Sequence, residues 1–177
     1  GFLLEPVLAN LDSLRDSLLS DPRYRSAGVV GRLVAASENA REESALRALP
    51  LADAAVVLAE GLDPERYDSS LLGSVRGAAW RERANVLRYL GRHGEALAAV
   101  ERAEEAFRRT PVADLDLARL DFIRATVFHA MQRQSEALPL AHAASEMFRD
   151  YGDTVREIHA GLLEGAILFE LHQPAAA

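Results

Sequence analysis

The stretch 80–107, WRERANVLRYLGRHGEALAAVERAEEAF, decides how this chain is read. Two amphipathic patterns meet in it at Leu90-Gly91-Arg92-His93-Gly94, and Ala84, Ala96 and Ala103 stand where two helices would have to touch. Side chains no larger than a methyl let helix axes come within the roughly 8–10 Å of ridge-into-groove packing. The stretch therefore predicts a helical hairpin, with one helix over 71–90 and the next over 94–109, ended by Thr110 and Pro111.

Working outward, the same pattern returns on both sides. Helices are expected over 114–131 and 135–149, joined by Gln132-Arg133-Gln134-Ser135 and closed by Tyr151-Gly152-Asp153. A last helix over 154–171 stops at His172-Gln173-Pro174. Upstream, 28–44 and 46–60 read as a further pair, with Pro50 in the first turn or so of its helix, where a missing donor matters least. Gly61, Asp63 and Pro64 end that pair, and the polar stretch to Ser70 is the longest turn. Residues 3–19 place Leu4, Val7, Leu8, Leu11, Leu14 and Leu18 on one stripe, which Asp21 and Pro22 terminate. That makes about eight helices. No strand is expected, because alternation with period two never persists over five residues.

Alignment of the chain on itself shows a repeat. Residues 84–96 match 125–137 at a register of 41, and 165–177 continue at 40, so alanines recur at Ala48, Ala96, Ala137 and Ala177. Self-similarity near 40 residues with two helices per unit predicts an all-α chain built as an α-solenoid. The units are 28–66, 67–112, 113–153 and a truncated 154–177, preceded by an N-terminal helix and connector over 1–27. Ala177 falls where the second helix of the last unit should begin. The expectation is therefore that the chain is a fragment, or that another end surface covers the apolar face carrying Ile158, Leu162, Leu163, Ile167 and Leu171.

The central residues also resemble the tetratricopeptide repeat (TPR) family. Trp80 sits at that motif's aromatic position, followed by Ala84, Leu87, Gly91 at the turn, Ala96 and Ala103. The unit at 121–148 keeps Ala125, Phe128, Ala137 and Ala144 but has Asp121 for the aromatic and Gln132 for the glycine. The first unit keeps Ala36, Ala48 and Ala55. The resemblance implies a right-handed solenoid, a buried Trp80, and a concave groove lined by first helices that takes peptides or neighbouring protein segments. Carried across, the groove positions are Arg81, Asn85, Arg88 and Tyr89, then Arg119, Phe122, Thr126 and His129, then His159, Leu162 and Phe169. Arg81 and Asn85 are of the types that hold a carboxylate by charge-assisted hydrogen bonds. Glu82 departs from an all-basic groove.

Composition narrows the function classes. With 177 residues and 49% apolar content the chain is ordinary for a soluble domain, and the absence of cysteine excludes disulfides and thiolate metal sites. All twenty basic residues are arginine. A net charge of −7 argues against direct nucleic-acid binding by this segment. Apolar runs fall well short of the roughly 20 residues of a membrane span, and no signal pattern opens the chain, so a cytoplasmic location is expected.

Catalytic signatures are missing. His142 and Glu146 stand four apart on one helix, as two metal ligands would, yet no HExxH and no third ligand at a telling spacing accompany them. GxSxG, GxxxxGK[ST] and GxGxxG are absent. Glu42, Glu43, Glu101, Glu104 and Glu105 lie beside arginines, where solvated ion-paired helix faces are the ordinary outcome. The expectation is a non-catalytic protein- or peptide-binding scaffold without metal or cofactor, similar in layout to the repeat regions of bacterial regulators. The alternatives are a homo-oligomerisation module, dimeric through the N-terminal helix or the unfinished C-terminal end, and a hydrolase using His142 with Glu146.

Overall fold

A computed structural model describes residues 21, 24–108, 110–111 and 114–172 of the chain. Among them are seven helices and no strand, each helix packed on the next within its unit. The helix expected over 3–19 and the final alanine, Ala177, lie outside the described residues. Two compact units divide the chain after Pro111.

Among the described residues the first unit holds four helices. Helix α1 spans Ala27–Glu43, α2 spans Ala45–Glu60, α3 spans Ser69–Tyr89 and α4 spans His93–Phe107. Ser26 starts α1 by accepting a hydrogen bond from the Val29 amide, satisfying one of the donors that a helix start leaves orphaned. Ser44, the single residue between α1 and α2, is extended and serves as the cap of both. Such a link leaves the two helices no choice but to fold back on one another.

α2 is buried nearly all round, through Ala48, Leu51, Ala52, Ala54, Ala55, Val56, Leu58 and Ala59. A helix apolar on every side must be covered on every side, and α2 packs against both α1 and α3. Pro50 lies in its second turn rather than its first. The Leu46 carbonyl, the acceptor that a Pro50 amide would have used, belongs to an exposed residue, so water can satisfy it. At the other end Arg76 reaches from α3 to donate to the Ala59 and Glu60 carbonyls at 3.2 and 3.4 Å, a cation at the negative end of the helix. Asp68 then starts α3 by accepting from the Leu71 amide at 2.8 Å.

The α3–α4 hairpin closes on small residues. Ala84, Ala96 and Ala103 have no exposed surface, as their register requires. Phe107 is fully buried against Gly77, where an added Cβ would lie 2.4 Å from the ring. Only a glycine fits there. Gly91 ends α3 with φ +70°; its amide bonds to the Arg88 carbonyl, and the Arg92 amide to that of Leu87. This paired bonding is the left-handed helix stop.

The second unit holds α5 (Asp114–Ala130), α6 (Gln134–Asp150) and α7 (Thr154–Leu171). Ala118, Ala144, Phe148 and Ala160 form one core cluster, and Ala125, Ala137, Ala141 and Ile167 another. Residues 41 apart do the same work in the two units. Phe148 is buried against Ala118 as Phe107 is against Gly77, and Arg133 forks onto Glu136 at 2.6 Å as Arg92 does onto Glu95. Gln132 occupies the turn position of Gly91 with φ +59°, and Arg133 stacks on the Phe128 ring at 4.4 Å. The left-handed stop therefore forms without glycine. Packing across the turn holds a backbone conformation that glutamine adopts only under constraint.

Trp80 departs from the expected burial. It is half-buried, its indole N–H donating to Glu60 Oε1 at 2.8 Å and its ring stacked by Arg83. The aromatic is at its register position, but it closes the edge of the core instead of filling the centre.

Candidate functional site

The most unusual chemistry in the first unit lies where α1 meets α3. Glu82 is only 2% exposed, and its Oε1 accepts from Ser37 Oγ at 3.0 Å and from Arg41 Nε at 3.1 Å. Ser37, fully buried, also lies 3.3 Å from the Ala48 carbonyl oxygen. Burial pushes the Glu82 carboxyl above the usual carboxylate value, while the Arg41 charge and the two hydrogen bonds pull the other way. A buried carboxylate is tolerable only with such partners.

One turn further along α3 the polarity reverses. Arg88 gives Nε and Nη2 to the amide oxygen of Asn85, at 3.0 and 2.6 Å. Its guanidinium stacks over the Tyr89 ring at 4.2 Å, while Arg41 approaches the same ring at 5.2 Å. Burial draws Arg88 below the usual arginine value, though a guanidinium remains charged in any protein. Two arginines thus stand against the Tyr89 ring, and one of them, Arg41, also holds the Glu82 carboxylate. Arg88 spends its fork on a neutral amide, and a carboxylate arriving from outside would be the stronger acceptor.

Of the residues expected to line a groove, the structure brings Asn85, Arg88 and Tyr89 together in this cluster. Arg81 stands one turn back, with its guanidinium 6.0 Å from the centre of the Phe107 ring. The second unit uses its set differently. Arg119 bonds to Asp116 at 3.0 Å, with Asp153 at 4.0 Å, and its Nε is buried without a hydrogen-bond partner. Phe122 packs edge-on to Phe148 with ring centres 6.3 Å apart. Thr126 donates to the Phe122 carbonyl, and His129 lies 3.0 Å from Gln134 and 3.7 Å from Glu170. His159, Leu162 and Phe169 are exposed on α7.

Sequence reasoning missed Ser37 and Arg41, since the first unit matched the repeat least well. The signal was present in Glu82, an acid among basic positions. An acid there makes sense only if something across the interface compensates it.

Elsewhere, an open cleft of about 310 Å³ lies between the end of α2, the start of α3 and the end of α4. Its charged walls are paired internally, Arg76 with Glu60 at 3.7 Å and Arg102 with Glu105 at 3.8 Å. His142 stands exposed between Glu164 at 2.9 Å and Glu146 at 3.6 Å. Among the described residues no three His, Asp or Glu side chains converge as metal ligands would, and no helix is long and apolar enough to cross a membrane. No family model matches the chain, and no curated protein or solved structure is significantly similar to it.

Proposed function

We propose that the chain is a non-catalytic interaction scaffold, a right-handed α-solenoid of roughly 40-residue helix pairs similar to tetratricopeptide arrays. On this reading the first helices line a concave groove that takes a peptide or protein segment. The observation that supports it best is the α1–α3 cluster, in which Arg41 and Arg88 bracket Tyr89 beside a carboxylate already committed to Ser37 and Arg41. Guanidinium forks next to an aromatic wall suit a segment with acidic and apolar residues. Layout and repeat length favour the repeat region of a bacterial cytoplasmic regulator, by analogy of fold alone.

The test is capture by the immobilised chain followed by mass spectrometry of what is retained. A partner held by the natural sequence and lost from the Arg81→Glu, Arg88→Glu double variant, with helicity and melting unchanged, supports the scaffold. Equal retention by both chains rejects the groove.

A further inference from the structure

Among the described residues α7 is held on one side only. Ala160 and Ile167 are buried and Leu163 is partly buried on the side that packs on α6. The acids of α7 turn to the same unit: Glu157 meets Arg149, Glu164 meets His142, and Glu170 meets Gln134 and His129. The opposite side is apolar and open to water. Val155, Ile158, Leu162 and Phe169 are 65%, 55%, 67% and 66% exposed, and Ala166 completes the stripe.

In α5 the positions 40 residues earlier, Leu115, Ala118 and Phe122, are covered by Ala144, Met147 and Phe148 of α6. The α7 stripe is therefore of the kind that another helix covers. Its own spacing names a fitting one. From Val155 through Ile158, Leu162 and Ala166 to Phe169 the steps are three, four, four and three residues, the same read in either direction about Leu162. An antiparallel copy would set Leu162 against Leu162, Val155 against Phe169 and Ile158 against Ala166, large against small at the outer layers. Beside the stripe stand Thr154, His159 and Gly165, so no carboxylate or guanidinium opposes its own copy across the two-fold.

We propose that this face pairs two copies of the chain, α7 antiparallel on α7, in an isologous dimer. Each stripe offers on the order of 500 Å² of apolar surface, within the range of the largest patches on monomers. Two of them bury roughly 1,000 Å², the lower limit of a specific interface. An interface at that limit belongs with weak, reversible ones, for which a dissociation constant of micromolar order is expected.

The absence of cysteine makes the geometry directly testable. Light scattering on the full chain should show a concentration-dependent dimer. Leu162→Glu enters the interface twice and should raise the dissociation constant by at least about 100-fold, with the helical signal unchanged. Independently, Leu162→Cys should form a disulfide dimer rapidly under mild oxidation. Val155→Cys alone and Phe169→Cys alone should not, while a mixture of those two should cross-link to each other. A chain that stays monomeric at ~100 μM, well above a micromolar dissociation constant, overturns the proposal and leaves the stripe to another occupant. A dimer that survives Leu162→Glu, or rapid self-cross-linking by Val155→Cys, overturns it equally.

Discussion

The α3–α4 and α5–α6 hairpins share a backbone plan and small-residue contacts, yet their corresponding outer faces carry opposite chemistry. Where α3 has Arg81, Glu82, Asn85, Arg88 and Tyr89, the positions 41 residues later have Phe122, Ile123, Thr126, His129 and Ala130. Glu82 is buried with a serine and an arginine around it, whereas Ile123 is buried with none needed. Packing at the alanine positions is what both hairpins require to close. Away from those positions the chemistry differs, and at Glu82 it does so with Ser37 and Arg41 to compensate the buried charge.

The largest way to break the comparison is to exchange the two buried residues. Ile123→Glu buries a carboxylate in a site that holds an aliphatic side chain, and should lower stability in urea melts by about 3 to 5 kcal/mol. The reciprocal Glu82→Ile removes the charge and leaves Arg41 short of an acceptor, with Ser37 still within reach of the Ala48 carbonyl, for about 1 to 3 kcal/mol. Equal losses would mean that the two sites are not different in kind.

Gly77→Ala drives a Cβ into the Phe107 ring and should destabilise by about 1 to 3 kcal/mol through overpacking. The corresponding Ala118→Gly removes a methyl that Phe148 tolerates and should cost about 1 kcal/mol, chiefly in helix propensity. Trp80→Ala should cost roughly 1 to 2 kcal/mol, below the 3 to 5 kcal/mol of a fully buried aromatic, because the residue is only partly buried at the edge of the core. A larger loss would restore Trp80 to the centre of the core.

The smallest effect is a pH dependence. Glu82 has its folded-state carboxyl raised, so the native chain binds that proton more tightly than the unfolded one. Its ionised form therefore opposes folding near neutrality, and that opposition fades as pH falls through the raised value towards the ordinary carboxylate range. Stability of Glu82→Gln relative to the natural chain should be greatest at neutral pH and shrink on acidification. A difference independent of pH between 7 and about 4.5 would show that Arg41 and Ser37 fully offset the burial.

Helix positions and hairpin closure were legible because both depend on local pattern. Periodicity of 3.6 locates the stripes, and methyl-sized residues at Ala84, Ala96, Ala103, Ala125, Ala137 and Ala144 mark the contacts, all of which are buried. The left-handed turn at Gln132 was harder to read, since glycine is its usual sign and here packing substitutes for it. Of the candidate site, Asn85, Arg88 and Tyr89 were readable as a polar face of one helix. Their partner Arg41 was not, being 41 residues from Glu82 on a helix with little repeat character.

By itself, then, the order of residues determined where this chain coils and which methyl groups let the coils touch, because those choices rest on contacts within a few turns. Whether Glu82 lies in water or in the interior, and which side of α7 packs on α6 and which is left bare, were decided only by tertiary structure. Burial of a charge, and exposure of an apolar stripe, depend on what another helix brings to the same place.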